Sequence, residues 1–187
     1  MKNNRREFIK AGLLGGVAAA TYPVVSAATS PPVEDEPSPR LDILVLGGTG
    51  FIGPHMVREA LRKGHSVTLF NRGRTNNKLF PDLETIKGDR NNGLDGLKGR
   101  KRDAVIDNSG YVPRHVQDSA RLLSDNVGFY LYISTVAVYK DFKQPNHEHS
   151  PLATIEDETV EEVTGETYGA LKALCEQRAR AEIGHDR

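Results

Sequence analysis

Tyr168 and Lys172 lie four residues apart in the stretch "ETYGALKAL", a spacing that sets both on one face of a helix. A lysine cation beside a phenol favours the phenolate. Such a tyrosine can exchange a proton with a substrate hydroxyl while a hydride moves to or from a cofactor. Taken alone, the pair occurs on many ordinary helices. A second group adds to it: "LDILVLGGTGFIG" runs a short apolar stretch into Gly47, Gly50 and Gly53. Glycines three apart between a strand and a helix permit a tight turn, a close approach of backbone to pyrophosphate, and close packing of helix on strand. The helix N-terminus behind them offers unpaired N–H groups and partial positive charge to an anion. The bland alternative is a plain turn.

These groups need elements to hold them, and from Leu41 the chain supplies a regular alternation. "LDILVLG" reads as a buried parallel strand. "IGPHMVREALRKGH" places Ile52, Met56, Val57 and Leu61 at helical spacing, with Gly64 suited to the helix end. "SVTLFN" reads as a second strand, "LETIKGD" as a weaker third and "RDAVIDNSG" as a fourth. "HVQDSARLLSDN" is a helix with Val116, Ala120 and Leu123 on one face, and "FYLYIST" a fifth strand. "GETYGALKALCEQRARAEI" is a long helix with Leu171, Leu174 and Cys175 on its apolar side. Strands alternating with helices predict an α/β fold, a doubly wound parallel sheet with helices on both faces. Right-handed crossovers then put the ligand crevice beyond the C-terminal ends of the strands.

Composition narrows the functional classes. The chain has 187 residues, with 25 basic and 25 acidic side chains, so no net field recruits nucleic acid or anionic lipid. Cys175 is the one cysteine, which excludes an intramolecular disulfide and a cysteine-based zinc pattern. "NHEHSP" sets His147, Glu148 and His149 side by side, without the fixed spacing of a metal cage, and reads as a polar loop; no metal is expected. In residues 1–28, Arg5, Arg6 and Lys10 precede a weakly apolar run and a small-residue stretch suited to cleavage after Ala27 or Ala28. "NRREFIK" resembles the twin-arginine export signal, which implies the export translocon as a partner and a periplasmic or extracytoplasmic location. Residues 29–40, proline-rich and acidic, read as a linker to a domain over 41–187.

"GGTGFIG" is similar to the GxxGxxG loop of the extended short-chain dehydrogenase/reductases, the group of nucleotide-sugar epimerases and dehydratases, and the resemblance runs from Leu41 onward. It implies a Rossmann domain with Gly47, Gly50, Phe51, Ile52 and Gly53 around a dinucleotide. The second strand ends in Asn71, where NAD-binding sheets commonly carry an acid, and Arg72 and Arg74 follow. Losing the carboxylate removes repulsion toward a 2′-phosphate that a guanidinium can grip, so NADP is favoured, with NAD left open. Asp89 and Arg90, in "KGDR", fall where the family contacts adenine, and Asn108, Ser109 and Gly110 where it lines the cofactor crevice.

"YGALK" resembles the family's YxxxK, and "YISTVAVY" its preceding strand end, which places the catalytic hydroxyl at Thr135, after Ser134. The resemblance thus implies Thr135, Tyr168 and Lys172 as catalytic residues, Lys172 also holding the cofactor ribose. Val136 and Ala137 stand where sugar dehydratases of the family carry Asp and Glu, so dehydration is disfavoured against epimerisation or ketone/alcohol redox. The expected partner is a small-molecule substrate of sugar or nucleotide-sugar type, with a homodimer allowed and no nucleic acid expected. The family continues past YxxxK into a region that forms most of the substrate pocket; this chain stops at Arg187, which reads as a fragment. The competing readings are a non-catalytic nucleotide-binding scaffold and an RNA-binding module, since some relatives use this fold on RNA.

Overall fold

The computed structural model describes residues 39–184. The export-signal reading over 1–28 lies wholly outside them, and the linker reading over 29–40 almost wholly. β1 (Asp42–Leu46) alternates in the way a central strand must. Ile43 and Val45 face one side, Leu44 and Leu46 the other, and all four are buried. It pairs in parallel with β2 (Ser66–Asn71) and with β4 (Arg102–Asp107). β3 (Thr85–Lys87) extends the sheet beyond β2, and β5 (Val127–Tyr132) beyond β4. The order is β3-β2-β1-β4-β5 and every pair is parallel. Succession runs one way from β1 through β2 and β3, then reverses to β4 and β5, which opens a crevice above the C-terminal end of β1.

Helices cover both faces. α1 (Gly53–Arg62) lays Val57 and Ala60 on Ile43, Val45, Val67 and Leu69. α2 (Pro113–Leu123) and α3 (Tyr168–Ile183) cover the opposite face, where Val116, Ala120, Leu123, Cys175 and Ala179 meet Leu44, Leu46, Val105 and Tyr130. Each fully buried Leu or Val in these layers contributes about 1.5–3 kcal/mol of transfer free energy.

One helix face and two element boundaries depart from the sequence expectation. On α1, Leu61 is exposed and Met56 only half-buried, while Ala60 takes the inward position; the sheet contact is a narrow stripe that runs through Pro54, Val57 and Ala60. β5 starts two residues early and ends at Tyr132; the Ile133 N–H still donates to the Asp107 carbonyl at 2.9 Å, and Thr135 stays extended as it enters the next turn. α3 starts at Tyr168, not Gly165. The Thr164 N–H donates to Thr167 Oγ1 at 2.9 Å and the Thr167 N–H to Thr164 Oγ1 at 3.2 Å, a reciprocal box that closes the turn over 165–167 leading into Tyr168.

Candidate functional site

The strand ends build a crevice of about 330 Å³. The loop after β1 contributes Gly47, Thr49 and Gly50, the end of β2 Asn71, and the link after it Arg72, Gly73, Arg74 and Thr75. Gly88, Asp89 and Arg90 follow from β3, Ser109 and Tyr111 from the turn after β4, and His115 from α2. Gly47 takes φ +109° as the chain leaves the sheet, its N–H donating to the Phe70 carbonyl at 2.9 Å. Gly53 opens α1 so close to the loop that a Cβ there would come within 2.7 Å of Gly48 Cα, which is why the helix N-terminus reaches the crevice. Phe51, also at positive φ, is 92% exposed at the tip of the loop, and Ile52 is half-buried behind it.

The polar groups divide into free and committed ones. Arg72 and Arg74 are exposed and make no ion pair or hydrogen bond with any described residue. Asn71 Oδ1 accepts from the Gly73 N–H at 2.8 Å, which bends the chain so that both guanidiniums rise at the crevice wall. Asp89 Oδ1 accepts from the Asn91 N–H at 3.0 Å. Arg90 is committed inward: it is buried and forms a bidentate pair with the fully buried Asp107, the second bond measuring 2.8 Å. It also donates to Ser119 Oγ at 2.6 Å and to the His115 carbonyl at 3.2 Å. Burial opposes the Arg90 charge, but Asp107 more than offsets this and holds its proton above the ordinary arginine range. Tyr130 adds a hydrogen bond to Asp107 Oδ2 at 2.8 Å, and burial pushes that phenol up. Arg90 is therefore the floor of the crevice and a brace between β3, β4 and α2, rather than a free donor. Asn108 sits against the glycine loop, its Nδ2 3.0 Å from where a Gly53 Cβ would stand.

The turn after β4 also meets Lys172. The Gly110 carbonyl accepts from Lys172 Nζ at 3.0 Å and from the Tyr132 hydroxyl at 2.7 Å, and the Ile133 carbonyl accepts from Lys172 Nζ at 2.7 Å. A Cβ on Gly110 would meet Val116 Cγ2 at 2.5 Å and Tyr132 Cε2 at 2.7 Å, so only glycine lets α2 and β5 close on this carbonyl. Lys172 is 3% exposed, and burial pushes its proton affinity down, opposed by Cys175, Asp107 and Glu176. No hydrogen bond joins it to Tyr168 among the described residues; the phenol, half-buried one helical turn earlier, shares its face. Thr135 starts a short 3₁₀ turn over Val136–Val138, its Oγ1 accepting from the Ala137 N–H at 3.2 Å. That turn packs on the first turn of α3, where a Cβ on Gly169 would overlap the Ala137 carbonyl oxygen. Ser134 points away: its Oγ is buried without a hydrogen-bond partner among the described residues, and the residue lines a separate hollow with Tyr130, Tyr132, Glu176 and Arg180. The structure thus sets Thr135 at the start of a turn seated against Gly169 of α3, and Ser134 in a separate hollow.

Thr75, Tyr111 and His115 line the crevice but carry no motif signal in the sequence, and Thr49 lies inside the glycine loop without being singled out by it. Tyr111 was the most accessible of them to sequence reading, as the residue directly after "DNSG". His147, Glu148 and His149 stay on an exposed loop, and no group of three or more metal-ligating side chains occurs among the described residues.

A five-stranded parallel sheet with flanking helices and a glycine-loop crevice at the strand ends is a doubly wound, Rossmann-type domain. Residues 43–183 match the NAD dependent epimerase/dehydratase family, and the chain belongs to it. Among curated relatives, the chloroplast stem-loop binding protein of 41 kDa b of Arabidopsis thaliana is 31% identical over 113 residues, 52% of this chain and 30% of that protein. Among solved structures, the Bordetella bronchiseptica enzyme WbmG in complex with NAD superposes with a TM-score of 0.62 at 18% identity, covering 78% of this chain and 51% of that one. MoeE5 in complex with UDP-glucose and NAD gives 0.58 at 22% identity, covering 78% and 50%. The chain spans about half the length of these solved relatives.

The crevice fits a dinucleotide on its own features. A glycine loop meets a helix N-terminus, two guanidiniums without partners among the described residues line the wall, and Tyr111 of the wall stands 5.4 Å, centroid to Nζ, from the buried Lys172. The Gly47–Gly53 loop would hold the pyrophosphate, Asn71, Arg72 and Arg74 the adenosine ribose side, and Ser109 and Gly110 the crevice wall.

Proposed function

We propose that this chain carries the cofactor-binding and catalytic part of an NADP-linked oxidoreductase or epimerase that acts on a secondary alcohol of a sugar or nucleotide-sugar. One observation carries the reading: Lys172, buried and hydrogen-bonded to the Gly110 and Ile133 carbonyls just past β4 and β5, shares a helix face with Tyr168, and both stand beside Tyr111 of the glycine-loop crevice wall. The nicotinamide, when bound, supplies the hydride chemistry. Tyr168 exchanges the proton with the reacting hydroxyl, Lys172 supports it electrostatically and holds the ribose, and Thr135 Oγ–H donates to the same oxygen. Val136 and Ala137 offer no acid or base, which favours epimerisation or redox over loss of water.

NADP over NAD rests on Asn71 in place of an acid and on Arg72 and Arg74 standing unpaired at the crevice. The solved relatives hold NAD, so cofactor choice is this chain's own feature to test. Fluorescence titration with NADPH and NADH checks it. Arg72→Ala with Arg74→Ala should weaken NADPH by about ten- to a hundredfold and leave NADH within a fewfold; equal loss for both would exclude a 2′-phosphate grip. Tyr168→Phe should lower turnover of a UDP-sugar by at least about a hundredfold while NADPH binding persists. Export through the twin-arginine route, which carries folded proteins, suits an enzyme that travels with its cofactor and recycles it in place; rapid cofactor loss on dilution of the native protein would count against this.

A second reading is favoured by the Arabidopsis relative, whose name describes stem-loop binding. On it, Tyr168→Phe would leave RNA retardation in a gel unchanged and the protein would show no turnover before substitution. Equal numbers of basic and acidic residues weigh against that reading.

A further inference from the structure

Tyr111 follows the Gly110 carbonyl that accepts from Lys172, and it joins three parts of the site. It lines the cofactor crevice. Its ring centroid stands 6.3 Å from that of Tyr168, tilted by 33°. Lys172 Nζ lies 5.4 Å from the same centroid and 4.1 Å from that of Tyr132. The ammonium has three N–H donors, of which two go to the Gly110 and Ile133 carbonyls. No carboxylate hydrogen-bonds it among the described residues. The groups that bear on its charge are Asp107 from β4, Arg90 from the link after β3, Cys175 and Glu176 from its own helix, and Tyr132 from β5. A buried cation held without a carboxylate contact depends on carbonyl dipoles and ring faces for its stabilisation, and ring faces within about 6 Å attract it.

We propose that Tyr111 is a positioning residue whose ring, opposite Tyr132, closes an aromatic clamp on the Lys172 ammonium and supports the Tyr168 ring. The clamp keeps the cation charged and aimed at the helix face it shares with the phenol. The ring face matters and the hydroxyl does not. The inference rests on the reading of Tyr168 and Lys172 as the reacting pair. Tyr111 is 45% exposed, so its substitution leaves the core intact, whereas Tyr132 is held inside by its hydrogen bond to Gly110.

The test uses the full chain carrying ¹³C-labelled lysine, with the Lys172 resonance assigned by its loss in Lys172→Arg. Tyr111→Leu should lower the titration midpoint of Lys172 by about half a pH unit to one pH unit. Tyr111→Phe should restore it close to the native value. In NADP⁺-dependent turnover of UDP-glucose, in which the sugar alcohol gives its hydride to the oxidised nicotinamide, Tyr111→Leu should lower kcat by roughly three- to tenfold with little change in KM, and Tyr111→Phe should recover most of it. An unchanged midpoint in Tyr111→Leu overturns the clamp. A lowered midpoint with unchanged kcat overturns its role in positioning. A lowered midpoint in a protein that turns over no UDP-sugar upholds the clamp and counts against the enzyme reading, so the two failures are distinguishable.

Discussion

At the scale of single residues, burial decides which side chains can react. Cys175 lies on the buried face of α3, and burial pushes its thiol up to about 11, so the thiolate fraction at pH 8 is on the order of one in a thousand. The folded protein should therefore resist thiol reagents at that pH, and one thiol should titrate once the chain is denatured. His115, at the crevice wall, is pushed below its ordinary 6.5 by burial and then by the Arg114 charge. The sign follows from proton binding. As pH falls through about 6.5 the unfolded histidine takes up a proton while the folded one stays neutral, so stability drops until the folded midpoint is passed. Melting temperatures between about pH 5 and pH 7.5 should fall more steeply on acidification for the native protein than for His115→Gln. The candidate site was partly legible at this scale: Tyr168, Lys172 and the three glycines stood out by type and spacing. Arg90 was legible as a crevice residue, but nothing local marks it as the partner of Asp107, 17 positions away.

At the scale of elements, the turn between β4 and α2 carries more of the site than its length suggests. Asp107 at its start holds Arg90 and Tyr130, and accepts from the Ser109 N–H at 3.2 Å; Gly110 in its middle holds Lys172 and Tyr132. Gly110→Ala would drive a methyl group into Val116 and Tyr132, and the helix or the strand end must move. We expect a loss of about 1–3 kcal/mol in denaturant unfolding, with weaker NADPH binding because the shifted carbonyl no longer meets Lys172. Unchanged stability would mean that α2 and β5 are less closely joined than the structure shows. The start of α3 illustrates where sequence reading of elements falls short. The periodicity of "YGALKALC" is plain, but the start of the helix depends on Thr164 and Thr167 exchanging hydrogen bonds, a choice between competing local partners.

For the whole molecule, the sheet is unevenly covered. α1 packs beside β1 and β2, and the same face of β5 presents Phe129 at 52% and Leu131 at 42% exposure. β5 has one strand partner, β4, among the described residues. An unpaired edge with exposed apolar side chains favours association. The 187-residue chain should grow in apparent mass with concentration in light scattering, and Phe129→Lys with Leu131→Lys should reduce that growth; no concentration dependence in the native chain would show that this face is protected.

The sequence by itself determined the alternation of strands and helices, the glycine loop after β1 and the shared face of Tyr168 and Lys172, because each depends on periodicity or spacing over fewer than about ten residues. Only the tertiary structure decided that Arg90 turns inward to Asp107, that the turn begun by Thr135 packs on Gly169 while Ser134 lines a separate hollow beside Glu176 and Arg180, and that Lys172 is held by the Gly110 and Ile133 carbonyls near the ring of Tyr111. Backbone carbonyls are the same at every position, so side-chain type cannot announce which of them a distant lysine will meet; that is set when β4, β5 and α3 pack together.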